Sequence, residues 1–434
     1  MDAIKKITPD FIKNTYHKVR SFHAAAKHSF PAKKMFIIGV TGTKGKTSTA
    51  NYVWSVLHAG GYNAGLVSSA IFRIGAEEKI NTTKMTMPSP YVIQKKLKEM
   101  ETRGIEIVVV EMTSEGMKQF RHTGISVDIA IFTNLTPEHL TSHKGSFEIY
   151  KKAKGALFKA LHHAPRKLRG KLIPTTIIAN ADSEHAKYYL SFPADKKITF
   201  GIHKGDVRAT NIVSEKLTTH FIIEKNEITL SIPGVFNVCN ALPAFIVGKT
   251  LAIPTGKIQA GLQALKVIPG RMEIINEGQD FTVIVDYAHE PASIAALLTA
   301  AESMKDPAGK IILLTGIIGG GRESRKPLIK IAAKRSDILV ITNEDPYDGD
   351  PKKMIDELVP VAVEEGKIVN DTVFPIYDRT EGIKKALSKA VKNDIVLISG
   401  KGAEQTMMTK AGAIPWDERE IVRKLVQECV QSKK

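Results

Sequence analysis

An apolar run, Met35-Phe-Ile-Ile38, leads straight into Gly39-Val-Thr-Gly-Thr-Lys-Gly-Lys-Thr-Ser-Thr49, and a helical pattern follows. This order reads as strand, phosphate loop and helix, which commits the chain to an α/β arrangement. Glycines at 39, 42 and 45 let backbone N–H groups converge on an anion, and the helix N-terminus adds a favourable dipole. Lys46 is spaced to reach terminal phosphates, and Thr47 to place a hydroxyl on Mg²⁺. The spacing is Gly-x-x-Gly-x-x-Gly-Lys-Thr, with Val40 where the Walker A rule wants glycine, so the loop is a variant. Gly42, Thr43, Lys44, Gly45, Lys46, Thr47 and Ser48 are the candidate nucleotide contacts.

A chain of 434 residues can hold two or three domains with substantial cores. No run approaches the apolar length of a transmembrane helix, and Met1-Asp-Ala-Ile-Lys-Lys6 lacks the apolar centre of a signal peptide. Cys239 and Cys429 stand far apart, in no metal-ligand spacing, and read as reduced thiols of a cytoplasmic protein. The formal charge is +17. Basic residues are dispersed, aromatics are few and no RNA-binding signature appears, so nucleic acid is not expected. Anionic small-molecule substrates account for the charge equally well.

Residues 1–34 form a short, basic, helical segment from Pro9 through Lys27, broken by Phe30-Pro31. Such a helix is expected to be solvated, with a partner protein or an anionic membrane surface as alternatives. Residues 35–268 are expected to form a central nucleotide-binding domain. Its apolar runs Met35–Val40, Ile105–Glu111, Asp128–Thr133 and Thr175–Asn180 alternate with helical patterns, the rhythm of a parallel sheet. Short β-rich runs over 197–232 are expected to be antiparallel, and helices follow at Asn237–Gly248 and Ile258–Leu265. From 269 to 434 the rhythm restarts with strands at Phe281–Asp286, Lys310–Gly316, Ile338–Thr342, Thr372–Tyr377 and Asp394–Ser399. This predicts a doubly wound, Rossmann-like domain.

A phosphate loop needs metal ligands at the ends of neighbouring strands. Glu111 ends a buried strand and suits Mg²⁺. Phe132-Thr-Asn-Leu-Thr-Pro-Glu-His-Leu-Thr-Ser-His143 follows another strand and brings Glu138, His139 and His143 to the same edge, with His139 a candidate ligand of a second metal. Tyr150-Lys-Lys-Ala-Lys-Gly-Ala-Leu-Phe158 lies downstream, and nothing local distinguishes Lys154 from the other lysines.

These segments, taken in order, resemble the Mur ligase family, and within it the members that add the third peptide residue in peptidoglycan synthesis. The resemblance rests on Gly39–Thr49, Glu111-Met-Thr-Ser114, Phe132–His143, Tyr150–Phe158, Asn180-Ala-Asp182 and Gly234-Val-Phe-Asn-Val-Cys-Asn240. It continues through Pro269-Gly-Arg-Met-Glu273, Val285-Asp-Tyr-Ala-His289, Gly319-Gly-Gly-Arg-Glu323, Glu344-Asp-Pro-Tyr347, Asp378-Arg379 and Gly400-Lys-Gly-Ala-Glu404. It implies an ATP-dependent acid–amino-acid ligase. A carboxylate of a muramyl peptide attacks the γ-phosphate, and the resulting acyl phosphate is displaced by an amine. Lys46, Glu111, His139 and Lys154 would carry catalysis, with Thr47 and Glu111 on a first Mg²⁺ and His139 and Glu111 near a second. Lys154 matches a position that family members carry as a carbamylated lysine. Asn237 and Asn240 match adenine contacts, and Arg271 and Asp286 residues near the nucleotide, which implies domain closure. Thr86, Ser114 and Arg121 match muramyl-peptide contacts, whereas Arg322, Glu344, Asp345, Gly400 and Glu404 would meet the incoming amino acid.

Two departures stand out. Only 34 residues precede Met35, too few for the usual UDP-binding domain, so the acceptor is held differently, carried otherwise, or bound with a partner protein. Relatives that use meso-diaminopimelate show Asp-Asn-Pro-Arg where this chain has Glu344-Asp-Pro-Tyr347. The bidentate carboxylate clamp is therefore missing, which favours lysine or another diamino acid, with Glu344 or Asp345 near its distal ammonium. Ala403 also replaces a histidine. The competing expectations are a polyglutamate- or cyanophycin-type amide ligase of the same superfamily, and a non-catalytic nucleotide-binding subunit.

Overall fold

The computed structural model describes residues 9–138, 140–162, 164–215, 217–319 and 324–432. It divides into two compact units. The first comprises the chain up to Ile212 together with His220–Leu230 and Phe236–Leu265. The second comprises Val213–Thr219, Ser231–Val235 and the chain from Lys266.

The first unit begins with helix α1 (Asp10–Lys27). Its sheet strands are β1 (Phe36–Thr41), β2 (Ala64–Val67), β3 (Ile71–Ile74), β4 (Glu77–Ile80), β5 (Ile107–Glu111), β6 (Ile129–Phe132) and β7 (Thr176–Asn180). These are followed by β8 (Lys196–Gly201), β9 (Val207–Glu215), β10 (Thr218–Ile223) and β11 (Asn226–Leu230). Among the described residues they form one sheet in the order β11-β10-β9-β8-β7-β6-β1-β5-β2-β3-β4. Strands β1, β5 and β6 are buried along their whole length. Unbroken Val/Ile runs, without polar alternation, belong to parallel strands covered on both faces.

Helices α2 (Lys46–Ala59), α3 (Pro90–Thr102), α4 (Ser114–Lys118), α5 (Phe147–Lys159) and α6 (Val235–Thr250) belong largely to this unit. Register decides what meets at the sheet edge. Val40 pairs with Glu111, Thr41 with Phe132, and Val67 with Val110. The phosphate loop, Glu111, the turn at Ser68-Ser69 and the segment after Phe132 therefore leave the sheet side by side.

The expectation of antiparallel strands over 197–232 is corrected at its start. β8 runs parallel to β7, with Ile198 opposite Ile178, and also pairs parallel with β9. Short β-branched runs reveal strand character but not direction, because direction is set by the connection.

The second unit carries β12 (Glu273–Ile275), β13 (Thr282–Asp286), β14 (Ile311–Ile317), β15 (Ile338–Asn343), β16 (Val373–Pro375) and β17 (Ile395–Ser399), ordered β12-β13-β17-β14-β15-β16. All pairings are parallel except β12 with β13, an antiparallel edge that the sequence pattern did not reveal. This is the expected doubly wound sheet. Asp286 lies opposite Ser399, and Thr315 pairs with Ser399 as well. Strand ends carrying Asp286, Gly400 and Glu344 thus share the C-terminal edge, where open α/β sheets bind ligands. A buried pair braces that edge. Arg379 donates Nε to Glu418 at 2.7 Å and Nη2 to the Ser399 carbonyl at 2.8 Å.

Candidate active site

In the first unit the phosphate loop is shaped by two glycines without room for a side chain. Gly42 has φ 154°, and a Cβ there would lie 1.9 Å from Thr133 Oγ1. Gly45 caps α2 at φ 78°, where a Cβ would meet Asn240 Oδ1 at 2.2 Å. Both φ values disfavour any other residue. The strand-end segment after β6 holds the loop from outside. Thr43 N–H donates to the Asn134 carbonyl at 2.8 Å, Lys44 N–H to Asn134 Oδ1 at 2.9 Å, and Thr133 Oγ1 to the Lys44 carbonyl at 2.7 Å.

Three lysines gather here. Lys46 Nζ donates to the carbonyls of Gly42 and Thr43 at 3.0 and 2.9 Å. Lys44 pairs with Glu138 at 2.8 Å. Lys154, on α5, is 2 % exposed and also donates to the Gly42 carbonyl, at 2.7 Å. Its Nζ sits 4.5 Å from the centre of the Tyr150 ring, and the Tyr150 hydroxyl lies 3.1 Å from Thr43 Oγ1. Burial, reinforced by the charge of Lys46 and only partly offset by Glu138, holds the Lys154 ammonium well below the ordinary lysine range. The sequence placed Lys154 among interchangeable helix lysines, and the structure separates it from them. His143, also buried, packs edge-on against Tyr150.

Metal-compatible oxygens stand on the other side of the loop. Thr47 Oγ1 donates to Glu111 Oε2 at 3.2 Å and lies 2.7 Å from Ser69 Oγ, while Ser69 N–H donates to Glu111 Oε1 at 2.9 Å. Thr47 and Glu111 are both buried, as is Ser48 beside them. Ser69 had no recognisable sequence signal; only the pairing of β2 with β5 delivers it. An oxygen-only set with one carboxylate fits Mg²⁺, which completes its shell with water and phosphate oxygens. Among the described residues no cluster of three or more His, Cys, Asp and Glu is arranged to hold a metal. His139 and Arg322 lie outside the described residues.

Asn237 and Asn240 come together in α6, with Asn240 Nδ2 donating to Asn237 Oδ1 at 3.1 Å. Gly45 lies directly against Asn240, so this pair borders the loop. Arg121 Nη1 donates to the Met87 carbonyl at 2.5 Å, fixing the segment that carries half-buried Thr86. Ser114 is buried in the first turn of α4, where Thr113 accepts the Gly116 N–H.

In the second unit the expected nucleotide and amino-acid residues form one chain of contacts. Arg271 stacks over Tyr287 at 4.2 Å, and Tyr287 OH donates to Glu404 Oε1 at 3.1 Å. Lys401 Nζ then joins Glu404 Oε2 at 2.5 Å and Asp345 Oδ1 at 3.0 Å. Asp286 accepts the N–H groups of Met272 and Ala288 at 2.7 and 2.8 Å, and its carbonyl accepts the Gly400 N–H. Glu344 or Asp345 was expected near a distal ammonium. Asp345 Oδ1 accepts from Lys401 and from the Met408 N–H, at 3.0 and 2.6 Å. Lys401, fully buried, is the partner that the sequence reading missed. Burial lowers its pKa, but Glu404 and Asp345 outweigh burial and keep it charged. Tyr347 is exposed, with φ 51°.

Glu344 is buried beneath Gly400, where an added Cβ would meet Glu344 Oε2 at 2.4 Å. Burial pushes its carboxyl up to about 8, against the pull of Arg379 and Lys401. The folded form therefore holds a proton that the unfolded chain releases near the ordinary carboxylate value. The stabilisation is complete below that value and is lost as pH rises through about 8. Glu344→Gln should accordingly lose less stability than the parent between pH 6 and 9. Thermal melts should show a gap of several degrees opening on the alkaline side, and parallel melting curves would contradict the buried, protonated assignment.

Comparison with known proteins agrees with this geometry. The Mur ligase middle domain matches residues 40–248, and the Mur ligase glutamate ligase domain matches residues 270–402. A UDP-N-acetylmuramyl-tripeptide synthetase of Roseiflexus sp. (strain RS-1) is 34% identical over 420 residues, which cover 93% of this chain and 81% of its own. A UDP-N-acetylmuramoyl-L-alanyl-D-glutamate–2,6-diaminopimelate ligase of Bacillus cereus is 32% identical, covering 96% and 82%. The folylpolyglutamate synthase of Mycobacterium tuberculosis, complexed with ADP and AMPPCP, shares the fold at a TM-score of 0.69 and 17% identity, covering 88% and 92%. With both units matched and identity sustained over nine tenths of its length, the chain belongs to the Mur ligase family.

Proposed function

We propose that this Mur ligase, an ATP-dependent amide ligase by family, joins a diamino acid to the terminal carboxylate of a muramyl-dipeptide precursor of peptidoglycan, in the cytoplasm. The observation that carries the reading is the convergence of Lys46, Lys154, Thr47 and Glu111 on one phosphate loop, in a chain whose relatives bear the same activity in their names.

The chemistry divides into two displacements. A carboxylate oxygen of the acceptor forms a bond to the γ-phosphorus of ATP, and the bond to ADP breaks. The amine of the incoming amino acid then bonds to the acyl carbon, phosphate departs, and the amine proton is lost to solvent. No protein nucleophile enters either step, so the protein must position groups and neutralise charge. The loop amides and Lys46 do this for the phosphates, with Lys46 exchanging the carbonyls of Gly42 and Thr43 for phosphate oxygens. Thr47 and Glu111 would hold one Mg²⁺, with His139 and Glu111 near a second, and the ions would supply further neutralisation of phosphate charge.

Lys154 has the chemistry needed for carbamylation. A neutral amine adds CO₂ through a new N–C bond and releases a proton, which turns a cation pressed against Lys46 into an anion. Its burial and depressed basicity favour the reactive neutral form. Asn237 and Asn240 would border the base, and Arg271 and Asp286 would serve the nucleotide. Ser114, Arg121 and Thr86 would serve the acceptor, and Glu404, Gly400 and Arg322 the amino acid. Lys401 is shared between the two carboxylates Asp345 and Glu404. Arg379 is committed to Glu418. Tyr347 supplies no charge where diaminopimelate-using relatives carry an arginine, which favours an amino acid with a distal ammonium.

ADP release with UDP-N-acetylmuramoyl-L-alanyl-D-glutamate should require both the acceptor and one amino acid, with L-lysine favoured over diaminopimelate. Lys46→Ala should lower kcat by about a hundredfold or more. Turnover only with a glutamate polymer would assign the chain to a different amide ligase. Removing CO₂ and bicarbonate from the buffer should depress activity, and restoring bicarbonate should recover it. A bicarbonate-independent rate, or a Lys154→Ala variant as active as the parent, would remove the carbamate from the mechanism.

A further inference from the structure

The first helix leaves an ordered apolar surface uncovered. α1 faces the body of its unit with Ser21, Ala24 and Ala25, all buried, and His23 Nδ1 lies 2.8 Å from the Tyr91 hydroxyl on α3. The small inner residues permit close approach: a Cβ on Gly124 would come within 2.8 Å of the Ala25 methyl. On the outside stand Phe11, Ile12, Tyr16, Val19 and Phe22, with Phe11 79% and Val19 63% exposed. At 3.6 residues per turn these five fall within an arc of about 140°, which they share with Thr15, His23 and Ala26.

Charge frames the stripe. Lys18 falls at one border, and Lys13, Arg20 and Lys27 fall at the other. Asp10 is the one acid in the helical sequence. Lys33 and Lys34, both exposed, follow in the next turn. A helix with large aromatic and aliphatic residues on one side and basic residues along both borders has the build of an in-plane interfacial helix. Its apolar side enters the headgroup boundary while lysine and arginine meet anionic lipid. A protein partner would have to present an apolar groove ringed by acids, whereas an anionic bilayer offers both features uniformly. No described helix is long and apolar enough to cross a membrane, so the contact is peripheral.

We propose that the outer face of α1 docks this ligase on an anionic membrane surface. The test is sedimentation of the full chain with phosphatidylcholine vesicles, with and without phosphatidylglycerol. Binding should need the anionic lipid and weaken with salt. Phe11→Ser combined with Val19→Ser should reduce it about tenfold or more, with the thermal midpoint and ligase rate unchanged because both side chains are mostly exposed. Lys13→Glu with Lys27→Glu should do the same. Failure to bind anionic vesicles at low salt would overturn the proposal. So would binding that ignores the serine variant, since general basic charge would then suffice. Self-association abolished by the serine variant, without vesicle binding, would assign the face to a second copy and overturn it as well.

Discussion

The parallel pairing of β1 between β5 and β6 is the constraint on which the first unit's chemistry depends. Register places Val40 beside Glu111 and Thr41 beside Phe132, so main-chain donors, a buried carboxylate and the Thr133–Glu138 segment emerge together. A slip of one residue would turn Glu111 to the opposite face of the sheet. Gly42 completes the arrangement, because its missing side chain admits Thr133 and Asn134 against the loop. The phosphate loop is thus held by a neighbouring strand end as much as by its own sequence.

Charge in that unit is deliberately unbalanced. Lys46 and Lys154 both donate to the carbonyl of Gly42, an arrangement that two full cations would oppose. Loss of charge at Lys154 relieves the opposition, and acquisition of a carboxylate would reverse it. The second unit solves the converse problem. Asp345 and Glu404 converge on Lys401, and Glu344 below them retains a proton. Together these choices leave the first unit's edge rich in cations and gather the second unit's carboxylates around one buried lysine.

Much of this was legible in the sequence, for identifiable reasons. The variant loop, the strand ending at Glu111 and the five principal strands of the second unit all declare themselves through unbroken apolar runs and turn residues. Lys154 was different, because Lys151, Lys152 and Lys159 share its helix and its chemistry. Only the docking of α5 against Thr43 and the loop removes water from one of the four. Lys401 and Ser69 are similar cases, each defined by a neighbour distant in sequence. Strand direction at β8 was beyond local pattern, as was the engagement of Asp345, which from sequence alone looked open to a ligand. Residues whose role depends on what packs over them are invisible to periodicity.

The measurement that bears most directly on the account is isotope transfer. The acceptor dipeptide would carry ¹⁸O in its terminal carboxylate, and the phosphate released during turnover would be analysed by mass. Activation through an acyl phosphate, on a phosphate loop without a protein nucleophile, predicts that each phosphate carries one oxygen from that carboxylate. Unlabelled phosphate, released while amide accumulates, would contradict it.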